Sequence, residues 1–342
     1  MDDDIEASRT ILYLSRSALR KLGIAFEPQI VTAAVEHALA DVASNNAVST
    51  KFALRRDDTK LSALGAMDKD DGIFKIISSS EGNRARGLPR SNILLIIARP
   101  PSFIPSHIID GTEISLARTA SFPIISVRRL LPDGCDLNIF IFGASALADM
   151  CIRYLVALCP NRIRRLAIKG RGSETSAKLA AKYREAPFLV EAVNDLKQLP
   201  TSNLVITATS SVKQPLFQDH QIASAPVLVV MTSEGDEIPD QYCEQAIRNR
   251  SAVCDDWAAV RARRRQSIAK YIEKKFGSQL PSEQPENYGI KNLEEMKYLK
   301  NEERRKRWIM TSVGSATTDL AVVKKCCWHV LDSSNFSGAP RL

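Results

Sequence analysis

The chain has 342 residues, 44% hydrophobic and 25% charged, the balance of a globular protein large enough for two domains. Its seven cysteines are odd in number and form no CxxC pair, which excludes a disulfide framework and a structural zinc site and leaves reduced, mostly buried thiols. The net charge of +8 does not read as nucleic-acid binding, because aromatics are only 6% and do not interleave with the basic runs Arg261–Arg265 and Arg304–Arg307; no apolar run is long enough to span a membrane.

The chain opens on the acidic Met1-Asp-Asp-Asp-Ile-Glu6, which lacks an apolar signal core, so a cytoplasmic protein is expected. The first 45 or so residues read as helix. Ser15 caps a short helix that stops at Gly23, and Pro28 starts a second whose Ile30, Val31, Ala34, Val35, Ala38, Leu39 and Val42 share one face. The period then changes. Phe52–Arg55, Gly72–Ser78, Ser91–Ala98 and Phe103–Ile109 are short runs rich in β-branched or aromatic residues, expected to form one curved antiparallel sheet. Thr112 caps the next helix, which Pro123 should kink or divide.

From Leu137 the strands lose their alternation. Leu137–Phe142, Ile163–Ile168, Leu204–Ala208 and Val227–Met231 are apolar throughout and separated by helices, the pattern of a parallel sheet buried on both faces. Residues 121 to about 280 therefore read as an open α/β domain. The polar Pro281–Asn287 is a linker. A charged helix carrying Arg304–Arg307 on a solvated face follows, then an apolar terminal helix from about Ser315 to Val330.

Three places could carry chemistry. The first is the turn Gly143-Ala144-Ser145-Ala146-Leu147 between the first parallel strand and its helix, where backbone N–H groups and the helix dipole can meet a pyrophosphate. Ser145 stands where a second glycine is usual. The second parallel strand ends in Lys169-Gly-Arg171-Gly-Ser173, with no acid for a ribose 2′-hydroxyl. Arg171 is suited to a 2′-phosphate, which favours NADP over NAD. Thr207-Ala208-Thr209-Ser210 ends the fourth strand, where small residues let a cofactor ring approach. The third place is a cationic set in the N-terminal sheet: Lys51, Arg55, Arg56, Lys75 and Arg90, joined by Arg118 on the following helix. Arginine is the preferred partner for a substrate carboxylate, and Lys75, in an otherwise apolar strand, stands either at an exposed edge or as a desolvated amine whose pKa burial would lower towards catalytic use. For each of these cations taken singly a solvated face is the default. Gly143-Ala-Ser145 only partly imitates a serine-hydrolase elbow, and the four histidines sit in no triad or metal motif, so they read as structural.

These segments together resemble the ornithine cyclodeaminase/mu-crystallin family. The likeness rests on Tyr13-Leu-Ser-Arg-Ser17, Lys51-Phe-Ala-Leu-Arg55, Gly72-Ile-Phe-Lys75, Gly87-Leu-Pro-Arg90, Arg118-Thr119-Ala-Ser121, Gly143-Ala-Ser145, Thr207-Ala-Thr-Ser210, Val253-Cys-Asp-Asp-Trp257 and Ser312-Val-Gly-Ser315. It implies an α/β fold with a Rossmann-type parallel sheet domain (121–310). It adds an α+β substrate and dimerisation domain formed by both chain ends (1–120 and 311–342). It also implies a homodimer, NADP or NAD as cofactor and a small amino-acid substrate. By position Arg55, Lys75 and Arg118 match the family's carboxylate-binding and catalytic residues, with Lys51 and Arg90 nearby, and Thr119 and Ser312 join the cofactor set. Lys51–Arg55, Gly87–Arg90 and Arg118–Ser121 look most like the branch that oxidises N-(2-amino-2-carboxyethyl)-L-glutamate to 2-oxoglutarate and 2,3-diaminopropionate in natural-product biosynthesis. Cyclodeaminases carry an acid just after the fifth parallel strand, where this chain has Thr232 and Ser233; that weighs against ornithine cyclisation. A ketimine reductase and a non-catalytic ligand-binding protein of mu-crystallin type remain the other readings.

Overall fold

The computed structural model describes residues 11–99, 103–209, 212–232, 234–277 and 288–331. The acidic first residues, the Pro281–Asn287 linker, Ser210 and Ser233 lie outside them. The chain divides into two units, Met1–Arg118 with Ser315–Leu342, and Thr119–Gly314.

The first unit begins with strand β1 (Leu12–Leu14), helix α1 (Arg16–Lys21) and helix α2 (Pro28–Ala43). Ser15 accepts from the Ala18 N–H as the cap of α1, and Pro28 sits at the start of α2, where its missing N–H costs nothing. Strands β2 (Ala47–Arg56), β3 (Thr59–Asp68), β4 (Gly72–Ser80), β5 (Ser91–Ala98) and β6 (Pro105–Asp110) follow. They form a six-stranded sheet in the order β1-β6-β5-β4-β3-β2. The ladders from β2 to β6 are antiparallel, but β1 runs parallel to β6, so the sheet is mixed rather than purely antiparallel as expected. A three-residue strand is too short to show a period, so the expectation of helix over the first 45 or so residues misses it. The whole of β3 was also unforeseen: its inward residues Ser62, Leu64 and Ala66 are mostly small and give a weak alternation.

Helix α3 (Thr112–Leu130) is one continuous helix with Pro123 inside it; the expected division does not occur. Its start is held by the Asp110 carboxylate, which accepts from the Thr112 N–H, so Asp110 and not Thr112 provides the capping oxygen. The second unit continues with β7 (Leu137–Phe142), α4 (Ala146–Leu158), β8 (Ile163–Lys169), α5 (Ser173–Ala181), β9 (Leu189–Ala192), β10 (Leu204–Thr207) and β11 (Val227–Met231). Then come α6 (Asp240–Arg248), β12 (Ala252–Cys254), α7 (Trp257–Arg263), α8 (Ser267–Phe276), β13 (Ile290–Asn292) and β14 (Arg307–Thr311). All eight strands pair in parallel in the order β13-β12-β14-β11-β10-β7-β8-β9, a Rossmann-type sheet. The four strands read from the apolar runs lie at its centre, and each buried Leu, Ile or Val contributes about 1.5–3 kcal/mol.

The expected charged helix before the terminal helix is absent. Leu293–Tyr298 is a short 3-10 helix, and Arg307 opens β14, whose Trp308, Ile309 and Met310 are buried between β11 and β12. The basic run masked this strand. Arg304 bonds the Asp133 carboxylate and Arg307 the Asp219 carboxylate, so the run is anchored rather than solvated. The chain returns to the first unit through α9 (Ala316–Cys326) and α10 (Trp328–Leu331); α9 packs on α2 and on β2, β3 and β4. All seven cysteines are free and six are buried, with burial pushing the Cys151 thiol up to about 12.

Candidate active site

In the first unit the strand period sets the geometry. Along β4, Phe74 is exposed and Lys75 points inward, fully buried. Lys75 stands in register between Leu64 of β3 and Leu95 of β5, both buried, so apolar walls flank its ammonium in the sheet. A lone buried charge there is untenable; a counter-charge is required. Asp319 of α9 supplies it: Lys75 Nζ donates to Asp319 Oδ1 at 2.7 Å and to Ser115 Oγ of α3 at 2.9 Å. Arg118, one turn further along α3 and 8% exposed, places its Nε 3.5 Å from Asp319 Oδ1 and an Nη atom 3.5 Å from Ser115 Oγ.

The cluster is incomplete. Asp319 Oδ2 and Arg118 Nε are both buried and have no hydrogen-bond partner. Buried polar atoms are nearly always paired, and a ligand that carries both a donor and an acceptor can complete these two. Lys75 and Arg118 carry two positive charges against one on Asp319, and one ligand carboxylate balances the three.

Of the other cations read from the sequence, Lys51 of β2 pairs with Leu64, which pairs with Lys75, so Lys51 lies on the same inward face two strands away, about 10 Å at the usual strand spacing. Arg55 points to that face four residues further along β2 and is exposed. The structure does not bring Arg90 to the cluster: its guanidinium bonds Glu81 at 2.9 Å, beyond the end of β4.

In the second unit the strand order turns at β7, with β8 on one side and β10 on the other, the switch point where ligands meet such sheets. Gly143 follows β7 with φ +113°, and a Cβ there would stand 2.5 Å from the Ala208 carbonyl oxygen. Only glycine fits. Ser145 caps α4 by accepting from the Ala148 N–H, and its Oγ donates to the Ala208 carbonyl at 3.1 Å. The Ser145 hydroxyl is thus used within the protein, yet Ser145 and Ala146 remain exposed and Ala144 and Leu147 half-buried, so the N-terminus of the 13-residue α4 stays open to a phosphate. Arg171 is exposed beyond β8, while Lys169 donates to the Asn194 carbonyl at 2.8 Å. Thr119 is buried in α3.

The hydroxyls of Thr207 and Thr209 both donate to the fully buried Glu237 carboxylate. Ser312 donates to Asp255 at 3.4 Å. Asp255 also accepts from the N–H groups of Val313 and Gly314, while Arg263 donates to the carbonyls of the same two residues. Burial pushes the Asp255 carboxyl above its ordinary value, against the pull of those N–H groups. Thr232, one of the two positions read against the cyclodeaminase acid, donates to the Thr207 carbonyl.

Sequence reasoning overlooked Asp319, Ser115 and Glu237. Asp319 had a signal: it is the lone acid in Ala316-Thr-Thr-Asp319-Leu-Ala-Val-Val323, a helix otherwise small or apolar up to that point. Ser115 and Glu237 had none, since their partners come from distant segments.

The profile of the ornithine cyclodeaminase/mu-crystallin family matches residues 23–326. An uncharacterized cyclodeaminase of Dictyostelium discoideum is 27% identical over 214 residues, 56% of this chain and 57% of that protein, so the match spans little more than half of that relative's length. The N-((2S)-2-amino-2-carboxyethyl)-L-glutamate dehydrogenase of Staphylococcus aureus is 21% identical over 287 residues, 80% of this chain and 82% of that one. Among solved structures, an archaeal alanine dehydrogenase dimer with bound NAD superposes with a TM-score of 0.76 at 17% identity, covering 93% of this chain and 95% of that one.

Proposed function

We propose, from the premise that this chain belongs to the ornithine cyclodeaminase/mu-crystallin family, that it is an NAD(P)-dependent oxidoreductase acting on the α-carbon of an amino acid or N-substituted amino acid. The observation that carries this reading is the buried Lys75–Asp319–Arg118 cluster with its unpartnered acceptor and donor. Arg118 Nε and the net positive charge suit an α-carboxylate. Asp319 Oδ2 suits an N–H of the substrate amine. Lys75, held between Asp319 and Ser115, is placed to give a proton to an imine nitrogen in the reductive direction, or to take one in its neutral form in the oxidative direction.

The dinucleotide fits what this chain offers: the Gly143 turn leaves no room for a side chain, and the α4 N-terminus presents backbone N–H groups for a pyrophosphate. Gly143, Ala144, Ser145, Ala146 and Leu147 would hold the pyrophosphate and Arg171 the ribose end, with a 2′-phosphate as the better match. When bound, the nicotinamide supplies the hydride donor or acceptor. The positional roles of Arg55, Thr119 and Ser312 in the family fit the same scheme.

For the substrate, the extra cations Lys51 and Arg55 on the face of Lys75 favour a molecule with more than one carboxylate, and the S. aureus relative acts on such a molecule. N-(2-amino-2-carboxyethyl)-L-glutamate is therefore the first substrate to try, oxidised to 2-oxoglutarate and 2,3-diaminopropionate. We also read the chain as a homodimer. Val48, Phe52 and Leu54 of β2, Leu61 and Met67 of β3, and Phe74 of β4 lie exposed on the opposite face of the sheet, an apolar surface that a second copy would cover. Nicotinamide absorbance, followed with NAD+ or NADP+ and each candidate amino acid, and with NADPH and cyclic imines, tests the assignment. Turnover fixes substrate and cofactor together; absence of both turnover and dinucleotide binding would sink it.

A further inference from the structure

Glu237 is fully buried in the second unit, in the loop that follows β11, and belongs to none of the motifs read from the sequence. One carboxylate oxygen accepts from the Thr207 hydroxyl and the other from the Thr209 hydroxyl. A single carboxylate thereby grips the two residues on either side of Ala208. The Ala208 peptide is the part of β10's end that meets the dinucleotide turn: its N–H donates to the Phe142 carbonyl at 2.7 Å, its carbonyl accepts from Ser145 Oγ at 3.1 Å, and the same carbonyl occupies the space a side chain at Gly143 would need. The chain of contacts runs from Glu237 through two hydroxyls to the two peptide groups that meet at Ala208, and from these to both ends of Gly143-Ala-Ser145.

We infer that Glu237 is a positioning residue for the dinucleotide: by holding Thr207 and Thr209 it fixes the Ala208 peptide, which in turn sets the shape of the Gly143–Ser145 turn and the affinity for the cofactor. This rests on the dinucleotide reading above. It also accounts for the serine in place of a second glycine. A Ser145 hydroxyl needs a fixed acceptor, and the Ala208 carbonyl is one only while its flanks are held. The bonds from Thr207 and Thr209 to Glu237 carry its effect to the turn through the two threonines.

Calorimetric titration with NADH and NADPH tests this, on the wild-type chain and on Glu237→Ala, Thr209→Val and Thr209→Ser. Glu237→Ala is expected to weaken the preferred dinucleotide at least tenfold. Thr209→Val should weaken it several-fold, and Thr209→Ser, which keeps the hydroxyl, should restore wild-type affinity. The rescue separates positioning from a loss of packing, because serine is smaller than valine yet binds better. Should Glu237→Ala fail to fold, the Thr209 pair decides alone. Wild-type binding with Thr209→Val within twofold of it would overturn the inference and leave the cofactor reading standing. No dinucleotide binding by the wild type would overturn both.

Discussion

Lys75 and Asp319 are 244 residues apart in sequence, yet their side chains meet at 2.7 Å with both fully buried. The pair joins the middle of β4 to the first turn of α9, so α9 is an integral part of the site. Lys75 is the nearer of the two cations beside Asp319 and donates to it directly, whereas Arg118 flanks it at 3.5 Å, and removing one partner of a buried pair costs about 3–5 kcal/mol. Asp319→Leu and Lys75→Met are each expected to lower stability by that order in denaturant melts. The double variant should recover much of it and remain inactive. A double variant no more stable than the singles would show that the two charges do not compensate each other.

Arg118 is expected to act on the ligand more than on the fold. Its Nε makes no hydrogen bond and only flanks at 3.5 Å an Asp319 oxygen that Lys75 holds at 2.7 Å, so Arg118→Ala leaves Asp319 its nearer cation. Turnover should fall at least a hundredfold, through the Michaelis constant for the amino acid as well as the rate, with a melting temperature close to that of the wild type. Arg118→Lys should recover little, since a point charge cannot reproduce a bidentate fork. Near-normal turnover in Arg118→Ala would remove the arginine from the mechanism.

Gly143→Ala is a test of the dinucleotide turn. The substitution puts a methyl group 2.5 Å from the Ala208 carbonyl oxygen in a left-handed backbone conformation. Binding of NADH and NADPH should be lost or cut by more than tenfold, while the circular dichroism of the helices is unchanged. Unaltered binding would mean that the turn relaxes or does not hold the cofactor.

The end of α9 is fastened by Lys324, which lies 2.8 Å from Asp68 and 3.0 Å from Asp71 of the β3–β4 turn. Burial opposes charge on Asp68, but the Lys324 ammonium and the N–H groups of Asp70 and Asp71 outweigh it and hold the carboxyl below 3.8. Burial likewise opposes charge on Lys324, and the two aspartates outweigh it and hold the amine above 10.5. The lowered acid contributes stability above its unfolded value and loses it as the pH falls through the folded one. The raised base contributes below 10.5 and loses it as the pH rises through its folded value. Lys324→Met should therefore cost up to about 1 kcal/mol near neutrality and little at either extreme. Melts across pH read this directly, and a cost that does not vary with pH would contradict it.

The parts of this molecule legible in the sequence are those whose signal is local. Leu137–Phe142 and Val227–Met231 announce buried parallel strands because every residue in them is apolar. Gly143 announces a turn because it ends such a run, and the motifs Gly72–Lys75 and Arg118–Ser121 carry the family likeness in a few adjacent residues. β3, β9, β12, β13 and β14 were not legible: they are short, or carry small or charged residues, and become strands only when their neighbours in the sheet offer a ladder.

For the site the division is the same. Sequence alone singled out Lys75, in an otherwise apolar strand, and Arg118, on a poorly charged helix, but left a solvated face as the default for each. It also put small and hydroxyl residues at the ends of β7 and β10. Only the tertiary structure decided which charges meet. It gave Lys75 and Arg118 a common carboxylate in Asp319, sent Arg90 to Glu81, and turned Thr207 and Thr209 towards Glu237. A sequence states the charge and size of a side chain, but its partner is set by strand register and helix packing, which bring together segments hundreds of residues apart and leave a buried charge only the partners within reach.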